Sequence, residues 1–191
     1  MIRRLRPLPT SDELAAMYAV RHDHRLYGRG HDERVEATIA LALENIPDYC
    51  RVTVADLSCG NGEIARRICP LASGLRLGDI AGGEAAYNFL GPIEETIHLL
   101  QPVGAFVSSE TIEHLDNPAE VLAQTRRKAG HLVLSTPLEC WDDGNSEHLW
   151  AWDQAGVEEL LARAGWRSRA FTTVDSRTYD EPYLYGIWVC E

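Results

Sequence analysis

The sequence predicts an α/β fold in which helices cover both faces of a mainly parallel sheet. From residue 51 onward, short apolar or β-branched runs alternate with segments of helical periodicity, an order typical of strands joined by crossover helices. The 191 residues are 45% hydrophobic and 25% charged, as in ordinary globular domains. We therefore predict one domain, 1–191, in which a helical N-terminal cap (1–50) packs on a sheet domain (51–191).

The predicted cap contains two helices separated by a loop. TSDELAAMYAV (10–20) opens on a Thr-x-x-Glu capping pattern, which indicates the start of a helix. RHDHRLYGRGH (21–31) is polar and contains glycines, so we predict a loop there. DERVEATIALALENI (32–46) repeats apolar residues at helical spacing up to Pro47, which ends the second predicted helix.

In the sheet domain, apolar and β-branched runs predict strands, whereas helical spacing and capping residues predict helices. The predicted strands are 51–58, 74–80, 85–91, 103–109, 130–137, 167–174 and 183–191. The predicted helices are 93–100, 117–129 and 153–165, and in 59–68 a glycine turn opens a further helix. Sheets of this kind bind ligands at the carboxyl ends of their strands, near the switch in strand order.

Charge and composition indicate which classes of function and which cellular location are compatible with the sequence. The net charge of −11 opposes binding to a nucleic-acid backbone. Arginines gather in residues 1–30, where they indicate a solvated arm or, alternatively, a basic lip that steers an anionic substrate. No apolar run is long enough to span a membrane, and none follows the first arginines as in a secretion signal. Five cysteines without a C-x-x-C pair indicate a reducing, cytoplasmic location.

VADLSCGNGEIA (54–65) is the most informative stretch for ligand binding. A buried strand ends at Asp56, and a turn containing Gly60 and Gly62 leads directly into a helix, whose free N–H groups face the turn. Asp79 ends the next predicted strand, where an acid commonly binds the two hydroxyls of a ribose. The pattern predicts a nucleoside-containing cofactor. The glycine spacing also fits a dinucleotide oxidoreductase, although Asp56 has no part in that fingerprint.

The run D-L-S-C-G-N-G (56–62) resembles the first motif of class I S-adenosylmethionine-dependent methyltransferases, D-x-G-x-G-x-G, with Ser58 in place of the first glycine. The resemblance continues through LGDI, VSSETIEHLDNPAEVL and GHLVLSTP, and spans roughly residues 35–191. It implies a Rossmann-like, seven-stranded sheet whose last strand runs antiparallel. It also implies S-adenosyl-L-methionine as the cofactor.

By this resemblance, Asp79 binds the ribose hydroxyls and Ile80 packs against the adenine. Pro92 stands where many relatives carry an acid that meets the adenine amino group. We expect Glu94 or a backbone group to substitute for that acid, with Ile93 against the ring. The predicted cofactor-binding residues are Asp56, Ser58, Cys59, Gly60, Gly62, Asp79, Ile80, Ile93, Ser108 and Ser109.

SETIEHLDNP (109–118) places carboxylates and an imidazole just after the fourth predicted strand; read as a helix, their spacing puts them on one face. E-T-I-E-H resembles the E-x-x-E-H segment of ubiquinone-pathway O-methyltransferases and of small-RNA 3′-end 2′-O-methyltransferases. In the latter group, this segment and a later histidine hold a divalent cation. The corresponding predicted catalytic residues and Mg²⁺ or Mn²⁺ ligands are Glu110, Glu113, His114 and His148.

A metal-free role for this segment is also open, because E-H-L follows the fourth strand of many class I enzymes that use no metal. There the glutamate orients the turn and the histidine acts as a base. Trp141, Trp150 and Trp152 surround His148 in sequence. They form either an aromatic wall for the acceptor or a cover over the sheet edge.

The leading functional hypothesis is methyl transfer to the hydroxyl of a small molecule. A hydroxyl is a poor nucleophile and needs a base or a metal, which the acidic and imidazole side chains supply. One alternative is methylation of RNA or another nucleic acid, which the N-terminal arginines favour and the net charge opposes. A second is a non-catalytic cofactor-binding module. The acceptor and the oligomeric state are not predicted.

Overall fold

The computed structural model describes residues 1–10, 12–14, 28–48, 51–81 and 87–191. Most of the helix predicted at 10–20 therefore lies outside the described residues. Its start is described: residues 12–14 are helical. Thr10 and Glu13 exchange the hydrogen bonds of a capping box, with the Thr10 N–H donating to the Glu13 carboxylate at 2.7 Å.

The strands form one large sheet and one small one. In the described part of the chain they are β1 (Ile2–Arg4), β2 (Val54–Asp56), β3 (Leu75–Asp79), β4 (Phe89–Leu90), β5 (Val103–Ser109), β6 (Ala129–Leu138), β7 (Trp150–Trp152), β8 (Ser168–Asp175) and β9 (Leu184–Cys190). The seven-stranded sheet has the order β4-β3-β2-β5-β6-β9-β8. Its pairs are parallel except for those of β9, which is antiparallel to β6 and β8. The predicted mainly parallel sheet with an antiparallel last strand is confirmed.

The helices fall close to their predicted positions. They are α1 (Arg29–Asn45), α2 (Glu63–Ile68), α3 (Ile93–Thr96), α4 (Pro118–Lys128) and α5 (Gln154–Arg163). Asn117 caps α4 by accepting the Glu120 N–H at 3.2 Å, as the sequence predicts. α2 begins after the predicted glycine turn, in which Gly60 and Gly62 both have positive φ angles that a right-handed helix does not contain.

Helices cover both faces of the sheet. Alternate residues of β5 point to opposite faces, as strand geometry requires. Phe106 belongs to one buried cluster, which α4 completes through Leu122. Val107 belongs to the other, which α1 and α2 complete through residues such as Ile39 and Ile68. The predicted periodicities therefore correspond to two real cores.

The N-terminal residues form a strand, where the sequence predicts a helical cap and a solvated arm. β1 pairs antiparallel with β7, in a register that sets Ile2 opposite Trp152. Arg4 forms an ion pair with Asp116 at 2.5 Å, and Arg6 donates to the carbonyl oxygen of Asp143 at 2.6 Å. The arm is therefore docked on the protein, because its arginines find partners far along the chain.

Two of the three tryptophans near His148 cover the sheet edge. The Trp150 indole N–H donates to the Leu115 carbonyl at 2.8 Å, and the fully buried Trp152 donates to Thr136 Oγ1 at 3.1 Å. Neither is among the residues that line the cleft described below.

Two further observations concern the described helices and cysteines. None of the described helices combines the length and apolar character that crossing a bilayer requires. The described cysteines are free thiols, namely Cys59, Cys69, Cys140 and Cys190.

Candidate functional site

A cleft of about 860 Å³ opens at the carboxyl ends of β2, β3 and β5. The predicted residues that line it are Asp56, Ser58, Cys59, Gly60, Asp79, Ile80, Ile93, Ser109, Glu110, His114 and His148. Three other predicted residues are not among its described lining residues. Ser108 and Glu113 are buried, with 2% and 1% exposure, and Gly62 lies at the start of α2. The cleft thus joins the glycine turn to the carboxylate and imidazole groups.

The glycine turn is shaped by left-handed backbone angles. Gly60 has φ +54° and Gly62 has φ +73°, conformations that glycine adopts without steric cost. A Cβ at Gly62 would also lie 3.0 Å from a methyl carbon of Leu77. The turn is tied to β3 because the Gly60 N–H donates to Asp79 Oδ2 at 2.8 Å. The turn thus places the backbone of Gly60 at the cleft.

Asp79 is held by backbone groups on both of its oxygens. Besides Gly60, the Ala81 N–H donates to Oδ1 at 3.0 Å. A carboxylate has about four acceptor positions, so lone pairs stay available to the hydroxyls of a ribose. Ile80 and Ile93 add apolar surface to the same end of the cleft, and Ile80 is 40% exposed. This end suits a nucleoside.

Asp56 is a buried acid beside the turn. It is 4% exposed, and its Oδ1 accepts the Ser58 N–H at 3.2 Å. Burial, together with repulsion from Asp79, raises the pKa of Asp56 to about 8. A cation bound in the cleft would favour the ionised form of this carboxyl group.

The raised pKa of Asp56 predicts a pH dependence of stability in the cofactor-free protein. Between its ordinary pKa of 3.8 and about 8, the folded state binds more protons than the unfolded state, so stability falls as pH rises. One such proton contributes at most about 1.4 kcal/mol per pH unit. We expect Asp56→Asn to give a shallower decline in the free energy of unfolding, measured by urea titration from pH 5 to 8. The fully exposed Asp142 provides the control Asp142→Asn, which should keep the wild-type slope; equal slopes for wild type and Asp56→Asn would refute the assignment.

Arg34, on α1, is a cleft residue that the sequence analysis missed. It is 4% exposed and donates to the hydroxyl oxygens of Ser109 at 2.5 Å and Ser135 at 3.2 Å. Its guanidinium also lies over the ring of Tyr185. The helical spacing of the sequence could have indicated its burial. Arg34 precedes the buried Thr38 by one helical turn and therefore shares the buried face of α1.

Glu110 sits in a left-handed conformation directly after β5. Its φ is +51°, an unfavourable angle for glutamate that is typical of functional sites. Its N–H donates to the Ser135 carbonyl at 3.0 Å, and its Oε1 accepts the Ser135 hydroxyl at 3.0 Å. Burial raises the pKa of Glu110, and attraction to Arg34 opposes that rise.

The helix suggested for Glu110, Glu113 and His114 does not form. Only Ile112–His114 make a short 3₁₀ turn, because pairing of β5 with β6 continues through Ser109 and the chain must then bend sharply. The side chains of Glu110 and Glu113 consequently have different surroundings.

Glu113 is a buried carboxylate with one unsatisfied oxygen. Its Oε2 accepts the Thr136 hydroxyl at 3.0 Å. Its Oε1 is buried and has no hydrogen-bond partner among the residues described, and His114 Nε2 lies 3.9 Å from it. Burial, and then repulsion from Glu110, raise the pKa of Glu113 well above its ordinary value. Such an oxygen is costly to bury without a cation or a proton.

His148 completes a cluster with Glu113 and His114. The two imidazole rings meet edge to face, with centroids 4.8 Å apart. One ligand atom from each of the three residues lies within 4.8 Å of the others. Glu110, the fourth predicted metal ligand, is outside this cluster. Two imidazoles and one unpaired carboxylate oxygen form a donor set suited to a divalent cation.

Comparison with solved structures identifies the fold. The chain superposes on the Burkholderia thailandensis 1,6-didemethyltoxoflavin-N1-methyltransferase with a TM-score of 0.64, at 16% identity, covering 99% of this chain and 93% of that one. For the magnesium protoporphyrin IX methyltransferase of Synechocystis PCC 6803 the TM-score is 0.66, at 15% identity and 94% coverage of each chain. This is the class I methyltransferase fold. No protein-family model and no curated protein matches the chain.

The class I methyltransferase fold does not by itself determine the reaction. The [4+2]-cyclase SpnF is also similar, with a TM-score of 0.64, 14% identity and 98% coverage of each chain. Function must therefore be argued from the side chains in the cleft.

Proposed function

We propose that the protein is an S-adenosylmethionine-dependent methyltransferase that acts on the hydroxyl of a small molecule. The observation that supports this most directly is the continuity of the cleft. One cavity carries both a nucleoside-type end, with Gly60 and Asp79, and a proton- and metal-binding end, with Glu110, His114 and His148. Similar structures with bound S-adenosylhomocysteine add support.

The cofactor, when bound, supplies a methyl group on a positively charged sulfur. In the proposed placement, Asp79 accepts hydrogen bonds from the ribose hydroxyls, and the backbone around Gly60 lies against the ligand. Ile80 and Ile93 enclose the adenine ring, because they provide the apolar surface at that end. Asp56 lies close enough to the turn to favour a cationic ligand once the carboxyl ionises.

Glu110 is proposed as the proton acceptor for the substrate hydroxyl. It lines the cleft and receives a hydrogen bond from Ser135 that orients it. Burial raises its pKa, and a base works best when its pKa approaches the working pH. Attraction to Arg34 opposes that rise in the pKa of Glu110.

Glu113, His114 and His148 are proposed to hold a divalent cation. Of the two predicted ions, Mn²⁺ fits two imidazoles better than Mg²⁺, which prefers oxygen ligands. A bound cation lowers the pKa of a nearby hydroxyl and balances the charge of the buried Glu113. The chain's own contribution is to keep these donor atoms together in a largely buried site.

The charge of the cleft favours a neutral or cationic acceptor over a nucleic acid. Arg34 is the one arginine or lysine among its described lining residues. The lining acids are Asp56, Glu63, Asp79, Glu94, Glu95, Glu110, Asp116, Glu147 and Glu181. This excess of negative charge repels a phosphate backbone. The described arginines Arg4 and Arg6 are paired with an acid and a carbonyl oxygen, so they add no support to the nucleic-acid alternative.

The proposal is tested by measuring S-adenosylhomocysteine release with S-adenosylmethionine, Mn²⁺ and a panel of hydroxylated small molecules. The panel should include vicinal diols of neutral, cationic and anionic character and a short RNA. We expect turnover with neutral or cationic diols and loss of turnover after EDTA treatment. Methylation of the RNA alone would reverse the acceptor assignment, and calorimetry showing no binding of S-adenosylhomocysteine would remove the methyltransferase assignment.

A further inference from the structure

Asp143 and His148 form a close, buried pair in the loop between β6 and β7. Oδ2 of Asp143 lies 2.6 Å from Nδ1 of His148, and the two side chains are only 5% and 6% exposed. A carboxylate in this position accepts a hydrogen bond from the Nδ1–H group of the imidazole. The neutral imidazole then carries its proton on Nδ1 and leaves the lone pair on Nε2.

The Asp143 carboxylate is itself held in place from several directions. Its Oδ1 accepts the Asn145 N–H at 2.8 Å and the Tyr183 hydroxyl at 3.3 Å. The backbone carbonyl oxygen of Asp143 accepts a hydrogen bond from the Arg6 guanidinium at 2.6 Å. Two distant parts of the chain, the N-terminal segment through Arg6 and the segment that contains Tyr183, therefore join the neighbouring Asn145 in fixing the acid that orients His148.

A carboxylate hydrogen-bonded to a histidine is useful at a metal or proton-transfer site. A histidine ligand binds a cation through one ring nitrogen, and a carboxylate on the other nitrogen fixes both the tautomer and the ring orientation. Asp143 is not itself a member of the cluster of Glu113, His114 and His148, nor among the described residues that line the cleft. It acts on the site through His148.

We propose that Asp143 is a positioning residue that holds His148 in the Nδ1-protonated tautomer and so presents its Nε2 to the ligand cluster. The proposal rests on the proposed function, because it assigns His148 a role in that cluster. It adds to that function the residue that sets the tautomer and orientation of His148 before any ligand binds.

The first test compares Mn²⁺ binding by wild type and Asp143→Asn, using electron paramagnetic resonance. An asparagine can present its amide N–H₂ to Nδ1 and favour the opposite tautomer. We expect Mn²⁺ affinity to fall by roughly 10- to 100-fold, while S-adenosylhomocysteine affinity, measured by calorimetry, stays within about twofold. The control is Asp142→Asn, because Asp142 is adjacent, fully exposed and paired only loosely with Arg3 at 3.7 Å; it should retain wild-type Mn²⁺ affinity.

The second test does not depend on the metal. Long-range ¹H–¹⁵N correlation of the metal-free wild type should show His148 protonated on Nδ1, and Asp143→Asn should shift this signal toward the Nε2 tautomer. An Nε2-protonated His148 in wild type would overturn the proposal even if the variant failed to fold. Unchanged tautomer and unchanged Mn²⁺ affinity in the variant would overturn it as well. A wild type that binds no Mn²⁺ but shows the tautomer shift would support the positioning role while rejecting the metal part of the proposed function.

Discussion

Glu113→Gln is expected to weaken Mn²⁺ binding by more than about 100-fold and to reduce methyl transfer to a similar degree. Glu113 supplies the buried oxygen that has no hydrogen-bond partner among the described residues, so it is the donor that most needs a cation. An amide cannot offer that negative oxygen. The measurements are Mn²⁺ titration and S-adenosylhomocysteine release with an acceptor found in the panel above.

The variant should nevertheless fold and bind the cofactor. Glutamine has the shape of glutamate, and its carbonyl oxygen can still accept the Thr136 hydroxyl. Replacing a buried carboxylate by a neutral amide also removes the cost of burying charge. Retained calorimetric affinity for S-adenosylhomocysteine would therefore separate loss of the metal from loss of the fold.

Glu110→Gln provides a matched comparison for the same measurement. If Glu110 takes the proton and Glu113 holds the cation, Glu110→Gln should reduce turnover about 100-fold or more while Mn²⁺ affinity changes by less than about threefold. Glu120→Gln, an exposed change on α4, should alter neither. Equal loss of Mn²⁺ affinity in both site variants would instead make Glu110 a ligand, and full Mn²⁺ affinity in Glu113→Gln would exclude Glu113 from the metal site.

Asp79→Ala should weaken S-adenosylhomocysteine binding by about 100-fold. A ribose hydroxyl that donates to a carboxylate contributes roughly 1.5–3 kcal/mol, and a factor of 100 corresponds to about 2.8 kcal/mol. The alanine also removes the hydrogen bonds that Asp79 accepts from the Gly60 and Ala81 N–H groups. Their loss loosens the turn. The measurement is calorimetric titration of the wild-type and variant proteins.

Asp79→Asn separates the two contributions. Its one amide oxygen can keep part of the turn in place but offers a neutral acceptor to the ribose, so we expect an intermediate loss of about tenfold. Mn²⁺ affinity should stay at the wild-type value in both variants, because Asp79 lies outside the ligand cluster. Undiminished S-adenosylhomocysteine binding by Asp79→Ala would mean that the ribose lies elsewhere.

The parts of the fold that were predictable are those with a local repeating signal. β5 and β6 lie within a residue or two of their predicted ranges, because buried strands are continuous apolar runs. The apolar residues of α1 recur with a helical period, and Asn117 and Pro118 indicate the start of α4. β1 has no such signal: three residues, two of them arginines, become a strand only because β7 offers a free edge.

The candidate site likewise contains residues that local sequence patterns predict and residues that they do not. Asp56, Gly60 and Asp79 were predictable, since each occupies a fixed place relative to a strand end or a tight turn. Asp143 was not, because nothing in its own loop distinguishes it from the exposed Asp142 beside it. The two acids differ only in what the folded chain places around them.

The sequence by itself determined the order along the chain of the helices and of the strands that form the seven-stranded sheet, together with the glycine turn and the strand edge at which acids and imidazoles accumulate, because these follow from short-range steric and periodic constraints. Only the tertiary structure decided that Arg34 enters the cleft, that Glu110 and Glu113 have separate surroundings, and that Asp143 holds His148. Each of these depends on contacts with parts of the fold that local periodicity does not specify. Burial then determines the charge and proton state of those groups, and therefore the chemistry that the cleft can perform.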